Sequence, residues 1–141
     1  MRFLDANIFL RFLVQPASPT DAARAAACRA LFERLQAGHE RATTSESVLA
    51  EVAYVLSSPR LYALSPADVS ARLKPLLVLP GLRVTNKRRY LRALDIYATY
   101  PHLDFEDALT AAVVERSRPA ELYSYDRDFD RVAGVTRLEP A

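Results

Sequence analysis

A chain of 141 residues, half of them hydrophobic and about a quarter charged, suffices for one domain that buries about two thirds of its unfolded surface. Its composition is too ordinary for long disorder. One cysteine, Cys28, and two histidines exclude an intrachain disulfide and argue against a closed zinc cage. The formal charge is +2, from nineteen basic residues that are all arginine apart from Lys74 and Lys87. Wherever the acids gather, the remaining surface turns basic. That suits a polyanionic partner, because arginine forks onto phosphate, although arginine with alanine and proline also follows genomic base composition. No apolar run approaches the ~20 residues of a membrane span, and no signal-peptide pattern precedes the first strand. The expectation is a soluble, cytoplasmic protein.

In chain order, Phe3 and Leu4 read as a strand with Asp5 at its carboxyl tip. Asn7 is expected to cap a short helix through Ile8, Phe9, Leu10, Phe12 and Leu13, which stops before Pro16. Ser18 and Pro19 open a longer helix to about Ala37, with Gly38 as its stop. Arg41 to Thr44 is a short second strand, and Ser45 caps a helix with Val48, Leu49, Val52, Val55 and Leu56 on one face. Ser65 and Pro66 start the next helix, through Val69, Leu73, Leu76 and Leu77. Leu82 to Thr85 reads as a third strand and Asn86 as the cap of a helix ending near Pro101. Asp104 to Arg116 carries alanines and valines on most sides and is expected to be packed within the fold. Leu122 to Tyr125 is a fourth strand ending at Asp126, and Thr136 to Leu138 a fifth. Strands alternating with helices require crossovers, so the class is α/β: a short central parallel sheet flanked by helices, in a single domain over residues 1–141.

The acids carry the chemistry. In an open parallel sheet the carboxyl ends of strands face the ligand crevice, and Asp5 and Asp126 both stand at such ends. Asp104 and Asp107 are three apart, hence on one helix face, with Glu106 beside them. Asp104 fits a cap as well as a ligand. Asp107 is expected to have a charged partner, because its helix has hardly any wet face. Glu51 lies beside an apolar stripe, where an ordinary boundary glutamate also fits, and Asp128 suits a turn as well as a site. Asn7 and Ser124 are candidates for orienting carboxylates by hydrogen bonds. His39 and His102 are expected in solvated loops. Lys87, Arg88 and Arg89, with Arg127, are the candidate RNA contacts, against the plainer reading of a solvated helix start. Tyr54 and Tyr62 read as core in preference to a partner-binding surface.

Four stretches together resemble the PIN domain family, specifically its compact toxin ribonucleases. They are Leu4-Asp5-Ala6-Asn7, Ser47-Val48-Leu49-Ala50-Glu51-Val52, Asp104-Phe105-Glu106-Asp107-Ala108-Leu109 and Ser124-Tyr125-Asp126-Arg127-Asp128-Phe129. The resemblance runs the length of the chain. It implies a metal-dependent ribonuclease whose main acids are Asp5, Glu51, Asp107 and Asp126, with Asp104 and Asp128 as accessory metal ligands. Mg²⁺ or Mn²⁺ is the implied cofactor, an antitoxin protein the implied partner and a homodimer the implied assembly. Such hard ions prefer oxygen ligands, and carboxylates crowded without them repel one another. Two rival classes remain. A haloacid-dehalogenase-like phosphatase also begins with a strand-end aspartate but expects a second one where Asn7 stands. A non-catalytic PIN-like module would bind RNA or protein without cutting.

Overall fold

The computed structural model describes residues Met1–Ala141 as an α/β fold with six helices and short strands that all pair in parallel. No helix is long and apolar enough to cross a membrane. The chain forms two compact units, Met1–Thr85 and Asn86–Ala141.

In the first unit, β1 (Arg2–Phe3) pairs with β2 (Ala42–Thr43), Arg2 opposite Ala42 and Phe3 opposite Thr43. Four helices surround this pair: α1 (Ala6–Leu13), α2 (Pro19–Ala37), α3 (Glu46–Ser57) and α4 (Pro66–Leu77). Their ends follow local chemistry. The hydroxyls of Ser18, Ser45 and Ser65 accept the N–H of Asp21, Val48 and Asp68 respectively, and Gly38 ends α2 at a left-handed φ of 75°. The core is apolar and mostly leucine, with Phe9, Leu35, Leu49, Leu56, Leu73, Leu77 and Leu82 almost fully enclosed. Phe32 takes the rings of Phe9 and Phe12 at centroid distances of 5.7 and 4.7 Å.

The loop from β1 into α1 is fixed by a buried bond. Thr44 Oγ1 donates to the Leu4 carbonyl at 2.8 Å, and Leu4 N–H donates to the Thr43 carbonyl at 2.8 Å. Thr44→Val keeps the shape of the side chain and deletes the donor, leaving the Leu4 carbonyl short of a partner. The expected loss is about 1–2 kcal/mol, read in a urea melt; an unchanged midpoint would show that the bond contributes nothing to holding Asp5.

In the second unit, α5 (Lys87–Thr99) packs on α6 (Phe105–Val114), with Tyr97 edge-on to Phe105 at 5.8 Å. Then β3 (Glu121–Tyr123), a 3₁₀ turn (Arg127–Arg131) and β4 (Thr136–Leu138) close the chain. β3 and β4 pair with Leu122 opposite Arg137.

Several expectations change. Asn7 is no cap: α1 starts at Ala6, Asp5 holds the cap position, and Asn7 lies exposed in the first turn because the strand ends sooner. The third strand, Leu82 to Thr85, shrinks to a single bridge between Leu82 and Ala42. Asn86 occupies a cap position but is left-handed (φ 63°), and only its carbonyl serves the helix, accepting from Arg89 and Tyr90 N–H. Pro75 sits inside α4, close enough to its end for the helix to absorb the missing N–H. Tyr54 and Tyr62 are exposed, not core.

Candidate active site

Four of the six candidate acids lie together in the second unit. Asp104 caps α6: its Oδ1 accepts the Asp107 N–H at 2.7 Å. The bond fixes its carboxylate at the helix start, where the macrodipole favours negative charge. Asp107 is half-buried one turn into α6. The chain after β3 is wound into two successive side-chain turns. Ser124 Oγ accepts the Asp126 N–H at 3.0 Å, and Asp126 Oδ1 accepts the Asp128 N–H at 2.9 Å. Ser124, a candidate for orienting a carboxylate, instead shapes the loop backbone by accepting the Asp126 N–H.

These acids act on one another. Asp107 is pushed up to about 6, first by loss of solvent around it, then by the charges of Asp104 and Asp126, a hydrogen bond with Asp104 and the charge of Asp128. The charged partner expected for Asp107 turns out to be three other acids. No basic side chain is among the groups that move it. α6 explains the burial: Ala108, Leu109, Ala111, Ala112 and Val114 face the interior, and Glu106, Thr110 and Val113 leave a narrow wet stripe wider than the sequence suggested.

Two residues that the sequence pattern does not mark hold this loop. His102, expected to be solvated, is half-buried with Nε2 3.0 Å from the Asp128 carbonyl. Arg137, on β4, donates through Nη1 to the Ser124 carbonyl at 2.8 Å and through Nε to Asp130 at 2.9 Å. Their partners lie 26 and 13 positions away in the chain, so no local signal announces them.

The other two candidates lie in the first unit. Asp5 is exposed at the α1 cap position, yet its side chain makes no capping bond, so both carboxylate oxygens are uncommitted to the helix. Glu51 is exposed on α3, next to the buried Val52, with no ion pair or hydrogen bond within this unit. Asn7 lines a cavity of about 260 Å³ with Arg11, Asp21 and Tyr62. Arg11 binds Asp21 there at 2.8 Å and holds its carboxyl below the usual range. Lys87, Arg88 and Arg89 fall together at the start of α5, whereas Arg127 is exposed beside Asp126.

Hard oxygen donors in uncompensated proximity are the donor chemistry that Mg²⁺ and Mn²⁺ take. No three His, Cys, Asp or Glu side chains form a ready-made metal cage. The fit therefore rests on the chemistry of the donors and on the charge crowding around Asp107. A family model described as PIN domain matches residues 2–135. No curated protein matches the chain.

Proposed function

The chain belongs to the PIN domain family, and from that premise we propose that it is a metal-dependent endoribonuclease that hydrolyses RNA phosphodiesters. The family points to nucleases in general. The finer reading is carried by one observation: Asp107 is driven up to about 6 by burial and by three neighbouring acids, without a base to balance them. Such a cluster repels a phosphodiester unless cations intervene, which makes it ill suited to binding RNA by itself and suited to holding a divalent ion against it.

In this reading Asp5, Glu51, Asp107 and Asp126 are the main acids and the ligands of Mg²⁺ or Mn²⁺, with Asp104 and Asp128 as accessory ligands. When bound, the ion supplies Lewis-acid stabilisation of the phosphate and a water acidic enough to attack it. The protein's own part is positioning. The caps at Asp104 and Asp126 each leave a second carboxylate oxygen free of backbone bonds. His102 and Arg137 brace the loop that carries Asp126 and Asp128, as supporting groups do around metal ligands. The uncapped carboxylate of Asp5 is consistent with a ligand role.

The resemblance of the four acid-bearing stretches to toxin ribonucleases supports a narrower version. Here the chain is the cytoplasmic toxin of a prokaryotic toxin–antitoxin pair, bound by a cognate antitoxin protein and assembled as a homodimer. Incubating the purified chain with a mixed RNA panel tests the enzyme reading. Cutting is expected with Mg²⁺ or Mn²⁺ and absent with chelator. RNA bound but uncut under either ion would leave a binding module. Growth arrest on expression, relieved by a coexpressed small neighbouring protein, is expected of the toxin; unimpaired growth of cells making active nuclease counts against it.

A further inference from the structure

At the far end of α6 from the acids, the second unit has a cleft of about 530 Å³ between the start of α5 and the end of α6. Lys87, Arg88, Arg89, Arg92 and Arg116 line it, with Glu115 as its single carboxylate. Glu115 is already taken: Arg92 grips it with Nε and Nη2 at 2.6 and 3.0 Å. Arg88, Arg89 and Arg116 have no carboxylate partner within this unit.

The fold does not account for the charge of Arg88, Arg89 and Arg116. Lys87, Arg88 and Arg89 occupy the first turn of α5, which has no acid in it. That end of a helix carries partial positive charge, so cations there are destabilising, as are like charges one turn apart such as Arg88 and Arg92. A concave surface that gathers cations against the dipole gains when an anion enters. The guanidinium forks suit phosphate oxygens.

We propose that this cleft is a phosphate-binding exosite for the backbone of the RNA strand. It grips the strand a few nucleotides from the phosphodiester that is cut. The inference rests on the nuclease reading for the identity of the polyanion. Arg116 lies just past the end of α6, nine positions beyond Asp107, roughly 14 Å along the axis and about half a turn around it at helical geometry. A strand that meets both the acids and the cleft passes around the end of α6, a path of a few nucleotides. The acids repel the strand where it is cut and the cleft attracts it nearby, so affinity is set away from the chemistry. Because the contacts go to phosphates, the cleft governs how tightly and how long a strand is held, not which bases are chosen.

The test is binding of fluorescein-labelled 20-mers of uridine and of adenosine to the full chain in chelator, at several salt concentrations. Wild type is expected to bind both with similar affinity. The Arg88→Gln/Arg89→Gln/Arg116→Gln variant is expected to bind both at least about tenfold more weakly, with a salt slope lower by about 2, near 0.7 per charge removed for a single strand. Arg24→Gln, on α2, is expected to change neither. The triple variant should melt no lower than wild type, since it relieves the conflict with the helix dipole. Should it fail to fold, Arg116→Gln alone is expected to lower the slope by about 0.7. Unchanged affinity and slope, or no binding by wild type, overturns the exosite even if the enzyme cuts RNA. Loss of binding in the variant with no cutting by wild type leaves the exosite standing and removes the nuclease reading.

Discussion

Replacing Asp107 with asparagine is expected to stabilise the metal-free protein at neutral pH while lowering RNA cleavage at least about a thousandfold, about 4 kcal/mol of transition-state stabilisation. The two effects have one cause. The Asp107 carboxyl is pushed from 3.8 to about 6 by burial and by Asp104, Asp126 and Asp128, so the folded state holds its proton more tightly than the unfolded chain does. The penalty for ionising it is absent below about pH 4, grows as pH rises towards 6, and is complete above that.

A shift of that size sets a ceiling of about 3 kcal/mol. Asp107 keeps part of its surface in solvent, and screening brings the expected figure to about 1 kcal/mol, or about 3 °C in Tm. Asparagine has no charge to lose, and its amide can donate to the Asp104 carboxylate that now accepts the Asp107 N–H. Urea melts in chelator at pH 7 and pH 4 check the sign. The variant should be the more stable at pH 7, and the gap should close at pH 4. Added Mg²⁺ or Mn²⁺ is expected to raise the Tm of wild type, by the linkage of ligand to the folded state, and to do so much less in the variant. A variant less stable than wild type at pH 7 would mean that the acids around Asp107 do not repel it.

Gly81→Ala is expected to be strongly destabilising, far more so than the same change at Gly38. A Cβ at Gly81 would collide with the backbone carbonyl of Glu40, and would lie 2.7 Å from the Leu35 carbonyl and 2.8 Å from Leu35 Cα. These are main-chain atoms, which no rotamer change can move aside. Gly81 is also where three segments are tied: its N–H donates to the Leu35 carbonyl at 2.8 Å and its carbonyl accepts from Ala42 N–H at 2.9 Å. Relieving the collision parts the end of α2 from β2 and breaks those bonds. The expected loss is about 3 kcal/mol or more, roughly 10 °C in Tm. Gly38→Ala is the control. Gly38 has open space around it and only its left-handed φ of 75° to strain a side chain, which costs about 1 kcal/mol. Equal losses at the two positions would refute close approach as the reason for Gly81.

Much of the candidate site is readable in the sequence because it depends on short-range chemistry. Asp104 three residues before Asp107, and Asp126 two before Asp128, are spacings at which a carboxylate reaches a backbone N–H, and both bonds form. What surrounds the acids is not readable in that way. The bracing of the loop by His102 and Arg137, and the approach of Asp126 and Asp128 to Asp107, arise from pairings across the unit. The cleft is intermediate. The run Lys87-Arg88-Arg89 is plain in the sequence, but Arg116 joins it only because α5 packs on α6 and Arg92 meets Glu115.

By itself the sequence determined where four of the six helices begin. A cap is a contact between residues three apart, so Ser18, Ser45, Ser65 and Asp104 act wherever the helix is later placed. It also determined the α/β class through the alternation of apolar segments. Tertiary structure alone decided how much strand survived, because pairing needs a distant partner: Leu82 kept one bridge to Ala42, and the residues up to Thr85 formed no ladder. It decided likewise that Asp5, not Asn7, begins α1, and that Gly81 must lack a side chain. Asp107 gives the clearest case. Its place on the helix follows from local spacing, whereas its protonation follows from burial and from charges that only the folded chain brings to it.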